Sequence, residues 1–229
     1  MKTRLIFVRH GEAEGNRKKL FHGWTDSELT PKGNQQAQAV AKRLKYQPID
    51  VMYSSPLKRA YRTAQYIAEE KGIMEIKVVD NLKEINAGLW EDMKFDKLPV
   101  KWPKEHDVWE NKPHLHCMPM GESIKDAFDR TLHEVLHIIK ENQGKSVCVV
   151  THGTVLRSLV CHFKGKPFEE LATVPWCDNT SITVVEFDDR NFRVCLEGDN
   201  SHLCEDLSTF ATQDWWKKTE NEKSEGKEI

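Results

Sequence analysis

The fold prediction depends most on the segment Leu5-Ile6-Phe7-Val8-Arg9-His10-Gly11-Glu12, in which four apolar residues lead into an Arg-His-Gly sequence. A later segment has the same arrangement: Val147-Cys148-Val149-Val150-Thr151-His152-Gly153. Continuous apolar runs of this length are typical of buried strands in a sheet that is covered on both faces. We therefore predict strands over residues 4–8 and 146–150, each followed by a histidine and a glycine.

Strand-like and helix-like segments alternate along the rest of the chain. Thr30-Pro31 indicates a helix start, because threonine is a good cap and proline suits the first helical turn. Ser123 and Asp126 resemble a capping box, and Gly72 and Gly144 are plausible helix ends. We predict further strands over residues 50–54 and 76–79, a hairpin over 181–187 and 192–196, and helices beginning at Thr30, Ser55, Ser123 and about Thr154. Such an alternation predicts a layered α/β fold.

Residues 91–120 interrupt this alternation. They contain Pro99, Pro103, Pro113 and Pro119, and proline at these intervals blocks long helices and strands. We expect an inserted lid or loop region with one short helix, inside a single domain over residues 1–211. Residues 212–229 are mostly charged, which predicts a solvated tail.

Composition narrows the choice of partners and compartment. The formal net charge of −2 argues against nucleic acid as a partner, because phosphate backbones attract basic proteins. No apolar run approaches membrane-spanning length, and no signal peptide opens the chain, so we expect no membrane association. None of the six cysteines forms a C-x-x-C pair, which favours reduced thiols in the cytoplasm.

Arginine and histidine are predicted to meet at one edge of the sheet. Ligands of open α/β sheets bind beyond the carboxyl ends of the strands, so both His-Gly pairs should lie at that edge. Glycine after each histidine would let the backbone approach a ligand closely. Arg59 and Arg62 follow a third strand, and guanidinium groups bind phosphate oxygens in a bidentate manner. We expect Arg9, His10, Arg59 and His152 to converge on one anion.

Several motifs occur in an order that identifies a family. They are residues 5–12 with Asn16, residues 23–26 and 29–33, residues 54–57 with Arg59 and Thr63, residues 82–84 and 88–91, residues 121–123, and residues 151–153. Over residues 4–190 the chain thus resembles the histidine phosphatase superfamily, in the branch that contains cofactor-dependent phosphoglycerate mutases and their phosphatase relatives. The resemblance implies a three-layer α/β/α fold with a mostly parallel central sheet.

The resemblance also implies a role for each catalytic residue. His10 would be the nucleophile and would carry the phosphoryl group as phosphohistidine. Arg9, Arg59 and His152 would hold that group and stabilise its charge. Glu84 would protonate the leaving alkoxide and then activate the water that cleaves the intermediate.

The same resemblance implies the substrate contacts and the absence of cofactors. Expected substrate-binding residues are Gly11, Asn16, His22, Gly23, Arg62 and Gly153. For His22 the alternative is an exposed loop residue, and for Arg62 it is a surface or supporting position. No metal or cofactor is expected, because arginine and histidine supply the positive charge. His114 and His116 with Cys117 invite a metal site, but they lack a second pair at metal-binding spacing, which favours a solvated loop.

Three activities remain open, namely a phosphatase, a mutase and a catalytically silent phosphate-binding module. The silent module is disfavoured because every catalytic position is filled. Mutases of the family carry an arginine pair after the catalytic glutamate, whereas this chain has no arginine between Arg62 and Arg130. We therefore predict a phosphatase acting on a small phosphorylated metabolite, with the mutase as alternative. A homodimer is among the expected assemblies.

Overall fold

A six-stranded mixed sheet forms the centre of the computed structural model, which describes residues 1–188 and 191–212. The sheet order is β3-β2-β4-β1-β5-β6. The pairs β3–β2, β2–β4 and β4–β1 are parallel, whereas β5 pairs antiparallel with β1 and β6 antiparallel with β5. The strands are β1 Thr3–Arg9, β2 Val51–Ser54, β3 Ile76–Val78, β4 Ser146–Thr151, β5 Ile182–Asp188 and β6 Asn191–Asp199.

Helices connect these strands. They are α1 Glu14–Lys18, α2 Pro31–Leu44, α3 Lys58–Lys71, α4 Leu98–Lys101, α5 Pro103–Asn111, α6 Ile124–Glu141, α7 Gly153–Phe163 and α8 Thr209–Thr212. Short 3-10 turns lie at Asp80–Leu82, Gly88–Trp90, Phe95–Lys97, Pro113–Leu115 and Phe168–Thr173. Among the described residues, no helix combines the length and the apolar character needed to cross a membrane.

Two apolar cores cover the two faces of the sheet. Leu5 and Phe7 point into the core shared with α6 and α7, whereas Ile6 and Val8 point into the core shared with α2 and α3. All four side chains are completely buried. Successive side chains of a strand face opposite sides, which explains why β1 is apolar throughout. The three-layer α/β/α prediction is confirmed.

The helix-start signals act as predicted at two positions. Thr30 Oγ1 accepts a hydrogen bond from the Gly33 amide at 2.9 Å, and Ser123 forms a capping box with Asp126. The predicted helix start at Ser55 is three residues too early, because α3 begins at Lys58. Ser55 Oγ accepts the Leu57 amide at 3.3 Å, which holds these residues outside the helix.

The lid segment, residues 91–120, is more helical than predicted. It contains α4 and α5 where we expected one short helix. Pro99 and Pro103 occupy first-turn positions of these helices, where a missing amide hydrogen costs nothing. Trp109 of the lid segment packs edge-on against Phe21 with ring centroids 5.1 Å apart, which anchors the segment to the body. Residues 189–190 of the predicted hairpin turn, and the predicted tail beyond Thr212, lie outside the described residues.

Candidate active site

A cavity of about 660 Å³ lies at the carboxyl ends of β1 and β4. Its polar lining comes from strand ends, from α1, α5 and α7 and from the loops between elements; it includes Arg9, His10, Asn16, His22, Glu84, Asp96, His106, Glu110, Thr154 and Arg157. An apolar wall completes it, formed by Phe21, Phe95, Leu98, Trp109, Trp176 and Phe210. Apolar cavities with a few convergent polar groups are typical of small-molecule sites.

The carboxyl ends of three adjacent strands lie side by side, as the sequence predicted, and two of them, those of β1 and β4, reach the cavity. The His10 amide donates to the Thr151 carbonyl at 3.0 Å, which joins the end of β1 to the end of β4. The Ser55 amide donates to the Val150 carbonyl at 3.0 Å and joins β2 to β4. As a result, the rings of His10 and His152 lie 5.1 Å apart.

The geometry of His10 leaves one ring nitrogen available as a nucleophile. Its Nδ1 lies 2.7 Å from the Gly11 carbonyl oxygen. A carbonyl can only accept, so Nδ1 carries the hydrogen and Nε2 of the neutral ring carries the lone pair. Burial, followed by the charges of Arg59 and Arg9, lowers the pKa of His10 well below its ordinary value. The ring is therefore neutral at pH 7.

His152 is held by a different contact. Its Nε2 lies 2.7 Å from Ser55 Oγ, and its Nδ1 is buried without a hydrogen-bond partner in the described part of the chain. Burial and the charge of Arg59 lower its pKa well below the ordinary value. If the serine hydroxyl donates to Nε2, the hydrogen of the neutral ring lies on Nδ1. His152 is completely buried and, like Arg59, is not among the residues that line the cavity.

The two predicted phosphate-binding arginines have different surroundings. Arg9 lines the cavity and donates to the Cys177 carbonyl. Arg59 is 1% exposed, does not line the cavity, and donates to the carbonyls of Gly23 at 2.7 Å and Thr25 at 2.9 Å. Burial lowers the pKa of Arg59 to about 10, so it keeps its charge at pH 7. The structure thus places Arg59 behind the cavity wall, where it acts on the histidines through its charge.

Glu84 lines the cavity and its carboxylate is fixed by backbone amides. Its Oε2 accepts from the Thr154 amide at 3.0 Å, in the first turn of α7. Its Oε1 accepts from the Ile85 amide at 2.9 Å. Helix N-termini favour negative charge, which explains why a carboxylate that is 7% exposed is accommodated here.

The glycines near the site lie in close contact with other parts of the protein, where a side chain would not fit or would be tightly packed. A β-carbon at Gly11 would lie 2.6 Å from the Gly33 carbonyl oxygen, and one at Gly153 would lie 3.3 Å from Nε of Arg9. Gly23 likewise packs against a backbone carbonyl, at 2.3 Å from such a carbon. Of the three glycines that we expected to contact substrate, Gly153 lines the cavity, whereas Gly11 and Gly23 are not among its lining residues.

Asn16 and His22 both line the cavity, as predicted. Oδ1 of Asn16 accepts from the Ala13 amide at 3.0 Å, which fixes the side chain at the start of α1. His22 is half-buried, and its Nδ1 lies 3.4 Å from Asp92 Oδ1. The exposed-loop alternative for His22 is therefore not what the structure shows.

Arg62 is not brought to the cavity. Its guanidinium stacks on the Tyr66 ring at 4.5 Å from the centroid and hydrogen-bonds to Gln65 and Tyr66. Arg62 lies three positions beyond Arg59 on α3, and the sequence alone did not show which of the two side chains would be buried. The supporting-position alternative describes Arg62 better than substrate binding.

The cluster at residues 114–117 differs from the predicted solvated loop. His116 is 1% exposed and lies between Trp90 and Trp109, with ring centroids 4.9 and 5.4 Å away. Burial lowers its pKa to about 4. Among the described residues, no group of three or more His, Cys, Asp or Glu side chains could hold a metal ion.

Arg157 is a cavity residue that the sequence analysis missed. Its Nε donates to the Val174 carbonyl at 2.7 Å, and its guanidinium lies 4.6 Å from the centroid of the Trp176 ring. Burial lowers its pKa to about 10. Because Arg157 follows Gly153 by one helical turn on α7, helical spacing alone would have placed it on the same side.

The sequence analysis also missed Asp178 and Asn179, because their side chains bond to residues that are distant in the sequence. Asn179 Nδ2 donates to the His10 carbonyl at 2.9 Å. Asp178 accepts from Ser208 Oγ at 2.6 Å and from the Thr209 amide at 3.1 Å. These bonds hold the C-terminal part of the described chain against the site, and bring Phe210 into the apolar wall.

Proteins of known family resemble this chain in sequence. The model of the histidine phosphatase superfamily (branch 1) matches residues 5–200. Phosphoserine phosphatase 1 of Hydrogenobacter thermophilus is 33% identical over 203 residues, which are 89% of this chain and 95% of that protein. The 2,3-bisphosphoglycerate-dependent phosphoglycerate mutase of Bartonella tribocorum is 33% identical over 173 residues, covering 73% and 84%.

Solved structures agree with the sequence comparison. The structure of Bacillus stearothermophilus YhfR matches with a TM-score of 0.82 and 36% identity, covering 87% of this chain and 98% of that chain. Similar proteins therefore bear the names of both phosphatases and mutases, which are the two enzymatic activities that the sequence left open.

Proposed function

The chain belongs to the histidine phosphatase superfamily, and on that basis we propose that it hydrolyses small phosphate monoesters through a phosphohistidine on His10. The observation that carries this proposal is the His10–Gly11 contact of 2.7 Å, which leaves Nε2 as the nucleophilic nitrogen of a neutral ring. Arg9 and Glu84 line the same cavity and supply a cation and a carboxylate for the chemistry.

The first step transfers the phosphoryl group to the enzyme. The lone pair of His10 Nε2 forms a bond to phosphorus while the bond to the leaving oxygen breaks. The leaving oxygen takes that electron pair and receives a proton from the Glu84 carboxyl group. In the second step a water oxygen attacks phosphorus, Glu84 takes the proton of that water, and the P–N electron pair returns to Nε2.

Two arginines supply positive charge near the phosphoryl group, and the neutral ring of His152 adds a hydrogen-bond donor. Arg9 acts from the cavity wall and Arg59 acts from behind it. His152 would donate from Nδ1, the buried atom without a partner in the described chain. Donors fixed in this way stabilise charge that develops in the transition state without reorganisation. We propose that the reaction needs no metal or cofactor, because these groups neutralise the phosphoryl oxygens.

The residues facing the substrate favour a phosphatase over a mutase. A mutase must retain a bisphosphorylated intermediate, which needs cations for the second phosphate. From the lid segment, the described lining residues include the carboxylates of Asp96 and Glu110 and the ring of His106. None of the segment's lysines, at positions 94, 97, 101, 104 and 112, is among them. Arg157 also lines the cavity, but two of its nitrogens donate to the carbonyls of Ala172 and Val174.

The apolar wall points to the kind of leaving group. Trp109 and Trp176 lie with ring centroids 6.1 Å apart, and both line the cavity. Indole surfaces bury apolar and planar groups well. We propose a small phosphorylated metabolite whose leaving group presents apolar or ring surface. The six free cysteines suit a reducing compartment, and we propose the cytoplasm.

Two parallel assays test this proposal. Release of inorganic phosphate from a panel of monoesters is measured in EDTA, beside conversion of 3- to 2-phosphoglycerate with 2,3-bisphosphoglycerate present. We expect phosphate release from the panel, fastest for esters with ring-bearing leaving groups, and little isomerisation. Efficient isomerisation with little phosphate release would establish the mutase instead.

A further inference from the structure

The loop that carries Glu84 has four consecutive carbonyls bound by side chains from other elements. Arg130 of α6 donates from Nη1 to the carbonyls of Asn81 and Lys83, both at 2.9 Å. It donates from Nη2 to the carbonyl of Glu84 itself at 2.7 Å. The remaining carbonyl, that of Leu82, accepts from a threonine hydroxyl of β4 at 2.9 Å. Arg130 thus holds three of the four positions.

Glu122 fixes the guanidinium and the other side of the loop together. Its Oε1 accepts from Nε of Arg130 at 2.7 Å and its Oε2 from Nη2 at 2.9 Å, which is a bidentate pair. The same Oε2 accepts the Asn86 amide at 2.8 Å, and the Glu122 amide donates to the Asn86 carbonyl at 3.0 Å. Glu122 and Arg130 therefore contact the loop on both sides of Glu84.

This pair lies outside the cavity. Neither Glu122 nor Arg130 is among the lining residues, and their side chains are 20% and 18% exposed. The motif at residues 121–123 consequently has no direct part in the chemistry, although the family resemblance rests partly on it. Its glutamate is instead fully used in contacts to the Glu84 loop and to Arg130.

We propose that the Glu122–Arg130 pair is a positioning clamp for the Glu84 carboxyl group. The proposal rests on the proposed function of Glu84 as general acid. Arg130 binds the carbonyl of the residue whose side chain transfers the proton, so a shift of this backbone moves the carboxyl group with it. Proton transfer requires hydrogen-bond distance, and a misplacement of about 1 Å can cost about 100-fold in rate.

The test compares two substrates in clamp variants. Glycerol 3-phosphate has a poor leaving group that needs protonation, whereas p-nitrophenyl phosphate needs little. The value of kcat/KM is measured, because it reports the steps up to transfer of the phosphoryl group to the enzyme. We expect Arg130→Met to lower kcat/KM for glycerol 3-phosphate about 10- to 100-fold and for p-nitrophenyl phosphate less than threefold. Arg130→Lys and Glu122→Gln should give smaller losses with the same selectivity.

Combination with Glu84→Gln separates positioning from general damage. With the acid already removed, Arg130→Met should cost less than threefold further for glycerol 3-phosphate. Lys125→Met is the matched control, because Lys125 forms an exposed ion pair with Asp129 on the same helix. The Lys125→Met substitution should leave kcat/KM unchanged for both substrates. If Arg130→Met does not fold, Arg130→Lys and Glu122→Gln decide the question.

The outcomes distinguish the clamp from the function of Glu84. Equal losses for both substrates in the folded clamp variants, or additive losses with Glu84→Gln, would overturn the clamp. If Glu84→Gln itself lowers kcat/KM equally for both substrates, Glu84 is not the general acid, and the clamp proposal is overturned with it. A selective effect of Glu84→Gln without one in the clamp variants would leave the function standing and remove only the clamp.

Discussion

His10 and His152 lie with their rings 5.1 Å apart, and burial together with the charge of Arg59 lowers the pKa of both. A lowered pKa means that protonation requires a pH well below the ordinary value of about 6.5. Both rings therefore stay neutral at pH 7, and His10 keeps the lone pair that attacks phosphorus in the proposed mechanism. An imidazolium at either position would be repelled by the guanidinium groups of Arg9 and Arg59.

The first prediction concerns the protonation of these rings. In nitrogen NMR spectra, His10 should remain a neutral Nδ1–H tautomer from pH 8 to pH 6, because its Nδ1 donates to the Gly11 carbonyl. In urea-unfolded protein the same residue should titrate near pH 6.5, which provides the internal control. Titration of folded His10 at or above pH 6.5 would contradict the account.

The second prediction concerns Glu84. Glu84→Gln should keep the contact to the Thr154 amide through its carbonyl oxygen but cannot deliver a proton. General acid catalysis contributes about 100-fold or more, so kcat/KM for alkyl phosphates should fall by that factor. The loss for p-nitrophenyl phosphate should be much smaller. Equal losses for the two kinds of substrate would remove Glu84 from the acid role.

The third prediction concerns Ser55, whose Oγ lies 2.7 Å from His152 Nε2. Ser55→Ala leaves that ring nitrogen buried without its partner, which costs about 1–3 kcal/mol and lets the ring change tautomer. We expect kcat/KM to fall about 10-fold. Ser54→Ala is the matched control, since Ser54 is equally buried but bonds to a backbone carbonyl. Equal effects of the two substitutions would show that Ser55 does not act through His152.

The fourth prediction concerns the apolar wall. Trp109→Leu should raise the KM of naphthyl phosphate about 10-fold, because loss of indole surface is worth about 1–3 kcal/mol of leaving-group contact. The KM of glycerol 3-phosphate should change little. Trp102→Leu is the control, because Trp102 lies in the same lid segment and does not line the cavity. A uniform change across leaving groups would show that Trp109 supports the fold and does not select the substrate.

The framework of the site was predictable from local sequence. A strand of apolar residues followed by histidine places that side chain at the carboxyl edge of the sheet, and this occurs at both His10 and His152. Capping at Thr30 and Ser123 was equally local, because each signal lies within one helical turn. The same local logic would have found Arg157, one turn after Gly153.

The remaining features depend on contacts between distant segments. Arg59 donates to the carbonyl of Gly23 and does not line the cavity. Position 11 requires glycine because a β-carbon there would clash with the backbone of Gly33. The hydrogen bond from Ser208 to Asp178 joins a residue that follows the β5–β6 hairpin in sequence to one that precedes it. No periodicity or motif in the sequence encodes these pairings, since each depends on how the finished elements pack.

The measurement that tests the central claim most directly is trapping of the enzyme intermediate. The protein is mixed with a phosphorus-labelled monoester, quenched within milliseconds at alkaline pH, digested and analysed by mass spectrometry, with His10→Gln as control. We expect label on His10 in the native protein and neither label nor turnover in His10→Gln. Label on another residue, or substantial turnover by His10→Gln, would contradict it.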